Sequence, residues 1–131
     1  MSNEDGCKAI KQFLIGLKPQ QVKNDTTISE KLCSCFISVV TALRNENAIN
    51  DSERLVLTDS ISIWFLRSRQ LLEMEQDQQG CSPFLQKLRT DILTIENCTF
   101  LFHYVIDYWN EGGAALANSL SDLFTKLLQL M

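Results

Sequence analysis

The stretch NDSERLVLTDSISIWFLRSRQLL, residues 50–72, decides which fold the chain can adopt. Its apolar residues recur at intervals of three and four, the period of an α-helix. One stripe predicts a buried face made of Leu57, Ile61, Trp64, Phe65 and Leu72. Further apolar residues lie off that stripe, and these are Leu55, Ile63, Leu66 and Leu71. So wide an apolar surface indicates a helix, beginning at Asn50 or Asp51, that packs on two sides.

The same period predicts five more helices, over about residues 5–17, 27–45, 83–95, 100–109 and 116–128. Two pairs of residues have the spacing of a helix-capping box, and these are Thr27 with Glu30 and Asn50 with Glu53. Ser82-Pro83 suits a helix start, and Gly112-Gly113 a helix stop. A further break is expected at Glu96-Asn97. With no alternating strand pattern, we predict an all-α chain with about 70% helix.

The apolar stripes also predict which residues form the core. In the first two helices they are Ile10, Phe13, Leu14, Leu17, Leu32, Phe36, Val39, Val40 and Leu43. The helix after Pro83 should bury Phe84, Leu85, Leu88, Ile92 and Ile95. We expect Trp64 and Trp109 to act as core anchors, with Trp109 wedged between the last two helices.

Six helices joined by short turns form three consecutive antiparallel hairpins, about 45 residues apart, which is close to the HEAT and armadillo repeat length. We therefore predict a HEAT/armadillo-like array, and the alternative is a closed helical bundle. The apolar stripe of the last helix is still running at Met131. Residues 1–131 are accordingly interpreted as a single helical domain or a fragment of a longer solenoid.

The C-terminal stripe contains Leu116, Leu120, Leu123, Phe124, Leu127 and Leu128. Because no polar residues follow this stripe, part of its apolar surface should stay exposed to solvent. Such a surface favours self-association or binding of a protein partner. The candidate partner-contact residues are Leu127, Leu128, Leu130 and Trp109.

The side chains that could serve in catalysis or metal binding are not expected to lie close to one another. On a helix, Cys33 and Cys35 point apart, because two residues turn by about 200°. His103 is the only histidine of the chain, and we interpret it as an interior or groove residue without a catalytic partner. We therefore predict no enzyme activity, no catalytic residue, no metal and no cofactor.

Twelve basic and sixteen acidic side chains give a net charge of −4, and no segment presents a basic face. The local clusters Arg67, Arg69, Lys87 and Arg89 are interpreted as solvated. Direct nucleic-acid binding by this segment is therefore disfavoured. The acidic first residues do not match a secretory signal, and no stretch is long enough to span a membrane. We expect a soluble, cytoplasmic protein.

The segment FHYVIDYWNEGG (residues 102–113), followed by LFTKLL (residues 123–128), resembles a helical unit of the THADA family of large α-solenoid proteins. The matching positions are Trp109, Leu120, Phe124, Leu127 and Leu128. The family unit tends to have a proline after the tryptophan, where this chain has Gly112-Gly113. The resemblance implies a scaffold that assists an FtsJ-like ribose methyltransferase acting on the tRNA anticodon loop, and it transfers no RNA-contacting residue.

Overall fold

The computed structural model describes residues 3–18, 26–74 and 83–129, and these ranges contain helices and no strand. The α-helices are α1 Asn3–Gly16, α2 Thr26–Arg44, α3 Asp51–Met74, α4 Pro83–Lys87, α5 Ile95–Asp107 and α6 Gly113–Gln129. Two 3₁₀ turns, Glu46–Ala48 and Trp109–Glu111, precede α3 and α6. A π-helical turn, Leu88–Ile92, continues α4. The predicted all-α class is confirmed, and the proposed cap at Ser82 lies outside the described residues.

Helix α3 lies at the centre of the packing, in contact with α1, α2 and α6, and its contact with α6 is the most extensive. The prediction that this helix packs on more than one side is confirmed. Of the three predicted hairpins, only α5 and α6 are among the principal helix pairs. Contacts centred on one helix fit the bundle alternative better than an array of successive hairpins.

The core is built around the indole of Trp64, which is 1% exposed. Its ring centroid lies 4.8 Å from that of Phe36 on α2, 5.4 Å from that of Phe65 and 6.4 Å from that of Phe84 on α4. Its Nε1–H donates to the carbonyl of Leu32 at 2.7 Å, which satisfies the one polar group of the ring. The other predicted stripe residues of α2 and α3 are buried with it.

The predicted capping box at the start of α3 is present. The backbone N–H of Glu53 donates to Oδ1 of Asn50 at 2.8 Å, and Oε1 of Glu53 accepts from the backbone N–H of Asn50 at 3.3 Å. Two amide groups that the first helical turn leaves without partners are thereby satisfied. In α2, by contrast, the helix already begins at Thr26, so Thr27 lies inside its first turn.

Arg67 was expected to be a solvated residue, and that interpretation is wrong. Its Nε donates to the carbonyl of Leu14 at 2.9 Å, and its Nη2 donates to the carbonyl of Ile15 at 2.8 Å. These are among the last carbonyls of α1, where a cation also complements the helix dipole. Arg67 therefore fastens the end of α1 to α3.

The break between α4 and α5 lies two to three residues before the predicted Glu96-Asn97. The backbone N–H of Leu93 donates to the carbonyl of Leu88 at 2.8 Å, which closes the wide turn. Thr94 then caps α5 by accepting from the backbone N–H of Asn97. Ile95 thus belongs to α5 and is 88% exposed, so its predicted place on the inner face of the preceding helix is wrong.

The turn between α5 and α6 depends on Gly112, whose φ of +99° is a conformation that side chains with a Cβ rarely adopt. Gly113 is already the first residue of α6. Trp109 lies in this turn and is 53% exposed, so the prediction that it wedges between the last two helices is wrong. Trp109 is the first residue of the 3₁₀ turn Trp109–Glu111, and in this turn its indole faces outward.

We expect Trp64→Ala to lower the free energy of unfolding by about 3–5 kcal/mol, because it empties a fully packed site. Trp109→Ala is the matched control and should change it by less than about 1 kcal/mol, as for most surface substitutions. Urea unfolding followed by circular dichroism measures both. Equal losses for the two variants would contradict the placement of the indoles.

We expect Gly112→Ala to destabilise the fold by about 1–3 kcal/mol, because its positive φ strains an alanine. The added Cβ would also lie 2.9 Å from Cγ2 of Thr58. Gly16→Ala is the control, since a Cβ there meets nothing within 4 Å and alanine favours the helix. Thermal unfolding should rank Gly112→Ala below the parent and Gly16→Ala at or above it. The reverse order would show that the turn is not constrained.

Candidate functional site

Helix α5 has an apolar face that no described residue covers. Successive residues of an α-helix turn by about 100°, so positions separated by 7 and 11 residues fall within about 20° of the first. Ile95, Phe102 and Ile106 have this spacing, and they are 88%, 67% and 59% exposed. Together with the exposed Trp109 that follows, they form what we call the α5 outer face. Exposed apolar groups clustered in this way are typical of interaction surfaces.

The opposite face of α5 is buried in the core, which fixes the direction of the outer face. Leu101, Tyr104 and Val105 are each at most 8% exposed. The hydroxyls of Tyr104 and Thr58 lie 2.6 Å apart in a buried hydrogen bond that ties α5 to α3. Burial raises the pKa of Tyr104 above its usual value and outweighs the opposing effect of this hydrogen bond.

Arg44 at the end of α2 fixes the beginning of α5. Its guanidinium donates to Oδ1 of Asn97 at 3.0 Å and pairs with Glu96 at 3.3 Å. The same group lies 4.8 Å from the ring centroid of Phe100, within range of a cation–π contact. Arg44 thereby fixes the position of the first turns of α5 relative to the end of α2.

Arg54 near the start of α3 supports the turn that carries Trp109. It lies 4.7 Å from the ring centroid of Tyr108 and 3.7 Å from a carboxylate oxygen of Glu111, and it also pairs with Asp51. Tyr108 in turn packs against Tyr104, with ring centroids 4.6 Å apart. Residues on both sides of Trp109 are therefore held, while the indole itself faces outward.

The candidate contact residues of the C-terminal helix have different environments. Leu127 is partly buried and packs against the core, whereas Leu128 is 70% exposed. Phe124, one turn before Leu128, is also exposed. Leu116 and Leu123 are fully buried, so most of the stripe is covered by the fold. Leu130 lies outside the described residues.

Of the α5 outer face, Trp109 is predicted from the sequence as a contact residue, and also as a core anchor. Ile95 is predicted in the core, and no role is predicted for Phe102 or Ile106. His103 is predicted as an interior or groove residue, and because it is exposed beside them, the interior alternative is wrong. The spacing of 0, 7 and 11 residues was the signal available, but the equally apolar opposite face masked it.

Cys33, Cys35 and Cys98 are free thiols, and their surroundings disfavour reactivity. Cys7 and Cys33 are buried, and Cys35 and Cys98 are partly buried. Burial raises the pKa of the Cys33, Cys35 and Cys98 thiols, which disfavours the reactive thiolate. Cys81 lies outside the described residues. Over residues 3–18, 26–74 and 83–129, no three His, Cys, Asp or Glu side chains are grouped as metal ligands would be.

None of the helices in the described part of the chain is long and apolar enough to cross a membrane. The chain matches no protein-family model and no solved structure, so the interpretation of the site depends on its own geometry.

Proposed function

We propose that the protein is a non-catalytic helical scaffold that binds a protein partner through the α5 outer face. One observation carries the proposal. Half of α5 is packed into the core, while Ile95, Phe102 and Ile106 on its other half are more than half exposed. A helix that only closed a small domain would be expected to present polar residues outward.

The composition of the face suits a binding surface. Aromatic side chains are enriched among the residues that contribute most to protein–protein affinity, and the face contains Phe102 and Trp109. Removing apolar surface from water yields about 25 cal/mol per Å², before the entropic cost of association. The backbone beneath these side chains is held by Arg44 and Arg54, so little ordering is required on binding.

The chemistry of the face suggests what kind of segment binds it. A stripe with spacings of seven and four residues complements the apolar stripe of another amphipathic helix. The exposed Asp107 lies about 120° around α5 from Ile95, on one flank of the stripe. Glu96 lies on the same flank, where Arg44 already pairs with it. A partner helix with basic residues along the matching edge would complement this flank.

The resemblance to the THADA family extends the proposal to a biological role. By that resemblance, the chain is part of a cytoplasmic regulatory subunit for tRNA 2′-O-ribose methylation, and its protein partner is an FtsJ-like methyltransferase. Catalysis and most RNA contact would belong to that partner. The net charge of −4 supports this division, because phosphate binding depends on clustered lysine and arginine.

The alternative role is a self-contained bundle that serves as an adaptor or assembly subunit. The contacts of α1, α2 and α6 around α3 favour it, since such packing does not require neighbouring repeats. In that case the exposed Phe124 and Leu128 on α6 would contribute to self-association.

We expect Phe102→Asp combined with Ile106→Asp to abolish partner binding and leave the helix content unchanged. The matched control is Leu55→Asp with Leu66→Asp, which places the same charges at two exposed leucines of α3. A photo-crosslinking residue at Phe102 or Leu55, introduced in the native cell, would capture the partner. We expect the crosslinker at position 102 to capture a specific partner and the crosslinker at position 55 to capture none. Ile106→Asp should abolish the capture from position 102.

Two further measurements separate the roles. Binding of the purified FtsJ-like methyltransferase to the parent chain and to the Leu55/Leu66 variant, but not to the Phe102/Ile106 variant, would support the tRNA-modification role. A concentration-dependent dimer that Leu128→Asp dissolves would favour the assembly subunit. Equal crosslinking from Phe102 and Leu55 would contradict the assignment of the α5 outer face.

A further inference from the structure

A groove lies beside the N-terminal end of the α5 outer face, between α2 and the π-helical turn. Its volume is about 400 Å³. Ile37 of α2 lines one side, and Asp91 of the π-helical turn lines the other. Thr94 and Glu96, the neighbours of Ile95 in the chain, also line the groove. The groove therefore adjoins the first residue of the outer face, and a segment bound along that face passes its mouth.

The charges along the groove leave one carboxylate available to a cation from outside. Arg44 lines the groove, but its guanidinium already pairs with Glu96 at 3.3 Å. Asp91 is exposed, and within residues 3–18, 26–74 and 83–129 it takes part in no ion pair. Lys87, four residues before it, pairs with Glu30 at 3.9 Å instead. A positive group that enters the groove therefore meets the unpaired charge of Asp91.

The apolar part of the groove that solvent can reach is Ile37. This side chain is 51% exposed, although the residue before it, Phe36, is fully buried. A lysine or arginine side chain packs its apolar stem along such a surface while its charged end stays near water. With Ile37 on one side and Asp91 on the other, the groove offers a matching surface to both parts of a basic side chain.

We infer that the helix bound at the α5 outer face places a lysine or arginine side chain in this groove, with its stem against Ile37 and its charge at Asp91. The inference rests on the proposed function. An exposed ion pair changes an equilibrium constant by less than about fivefold, so the groove does not hold a free amine by itself. A side chain attached to a helix that is already bound is present at a high effective concentration. The groove thereby selects among apolar helices by charge.

A second copy of this chain is a poorer occupant. Helix α5, Ile95–Asp107, contains no lysine or arginine. Two copies that pair through their α5 outer faces therefore bring apolar and acidic side chains to the groove and no cation from that helix. The partner that fits is a different helix, in which a basic residue follows the apolar stripe.

The test is a double-mutant cycle with a designed helical peptide of about 20 residues as the probe. Its stripe is leucine, its other positions are alanine and glutamine, and one lysine lies one turn beyond the stripe. Two peptides, with the lysine at either end, cover both directions of binding, and norleucine in its place keeps the stem without the charge. Fluorescence anisotropy of labelled peptide measures affinity for the parent, for Asp91→Asn, and for the control Asp59→Asn, which removes an exposed acid of α3.

We expect lysine to strengthen binding about two- to fivefold over norleucine in one of the two peptides. That gain should disappear in Asp91→Asn and persist in Asp59→Asn. If Asp91→Asn does not fold, amide NMR of the parent decides, since only the lysine peptide should shift Asp91 while both peptides shift Ile37.

No gain from lysine in the parent, or an equal gain in all three proteins, would overturn the inference and leave the outer face as the binding surface. Peptide binding that survives Phe102→Asp with Ile106→Asp would instead contradict the proposed function, and the inference with it.

Discussion

The burial of Trp64 is the constraint on which the rest of the structure depends. Its indole contacts Phe36 of α2 and Phe84 of α4 from the middle of α3, so three helices share one packed site. Its single polar atom is satisfied by the backbone of Leu32, which also fixes the position of α2 relative to α3. With those helices in place, α1 is fastened through Arg67, and α6 makes the most extensive contact with α3.

The beginning of α3 contacts two separate parts of the molecule. Glu53 and Arg54 are neighbours in sequence, yet they act on different parts of the molecule. Glu53 lines a cleft beside α1 and α2, whereas Arg54 lies against Tyr108 and pairs with Glu111 in the turn that carries Trp109. A distortion of this first turn would therefore reach both the packing beside α1 and the support of Trp109.

The sequence predicted the helices and most of the core because helical periodicity reports directly on burial. The stripes of α2 and α3 are buried, and the predicted Asn50–Glu53 cap is present. The sequence did not predict the positions of side chains that depend on contacts between distant parts of the chain. Nothing local shows that Arg67 reaches the carbonyls of α1, 52 and 53 residues away along the chain. Likewise, a run of aromatic residues ending at Trp109 does not reveal which side faces out.

The buried position of Glu53 could not have been predicted from the pattern of residues. Glu53 was recognised as part of a cap, which is a local property of the first helical turn. Its second oxygen is enclosed only because α1 and α2 lie beside that turn, and this arrangement depends on tertiary packing. The same reasoning explains why Ile95 was misplaced, since the register of α5 depends on the turn before it.

That π-helical turn, Leu88–Ile92, has a consequence for how the chain can change over time. The turn ends at Leu93 and Thr94, which leave the helical conformation before α5 begins at Ile95. Because α5 starts from its own cap at Thr94, its register does not continue that of α4. A codon gained or lost between the two helices therefore changes only the connection, which is the kind of segment that tolerates insertions, while the stripes of both helices and the core around Trp64 stay intact.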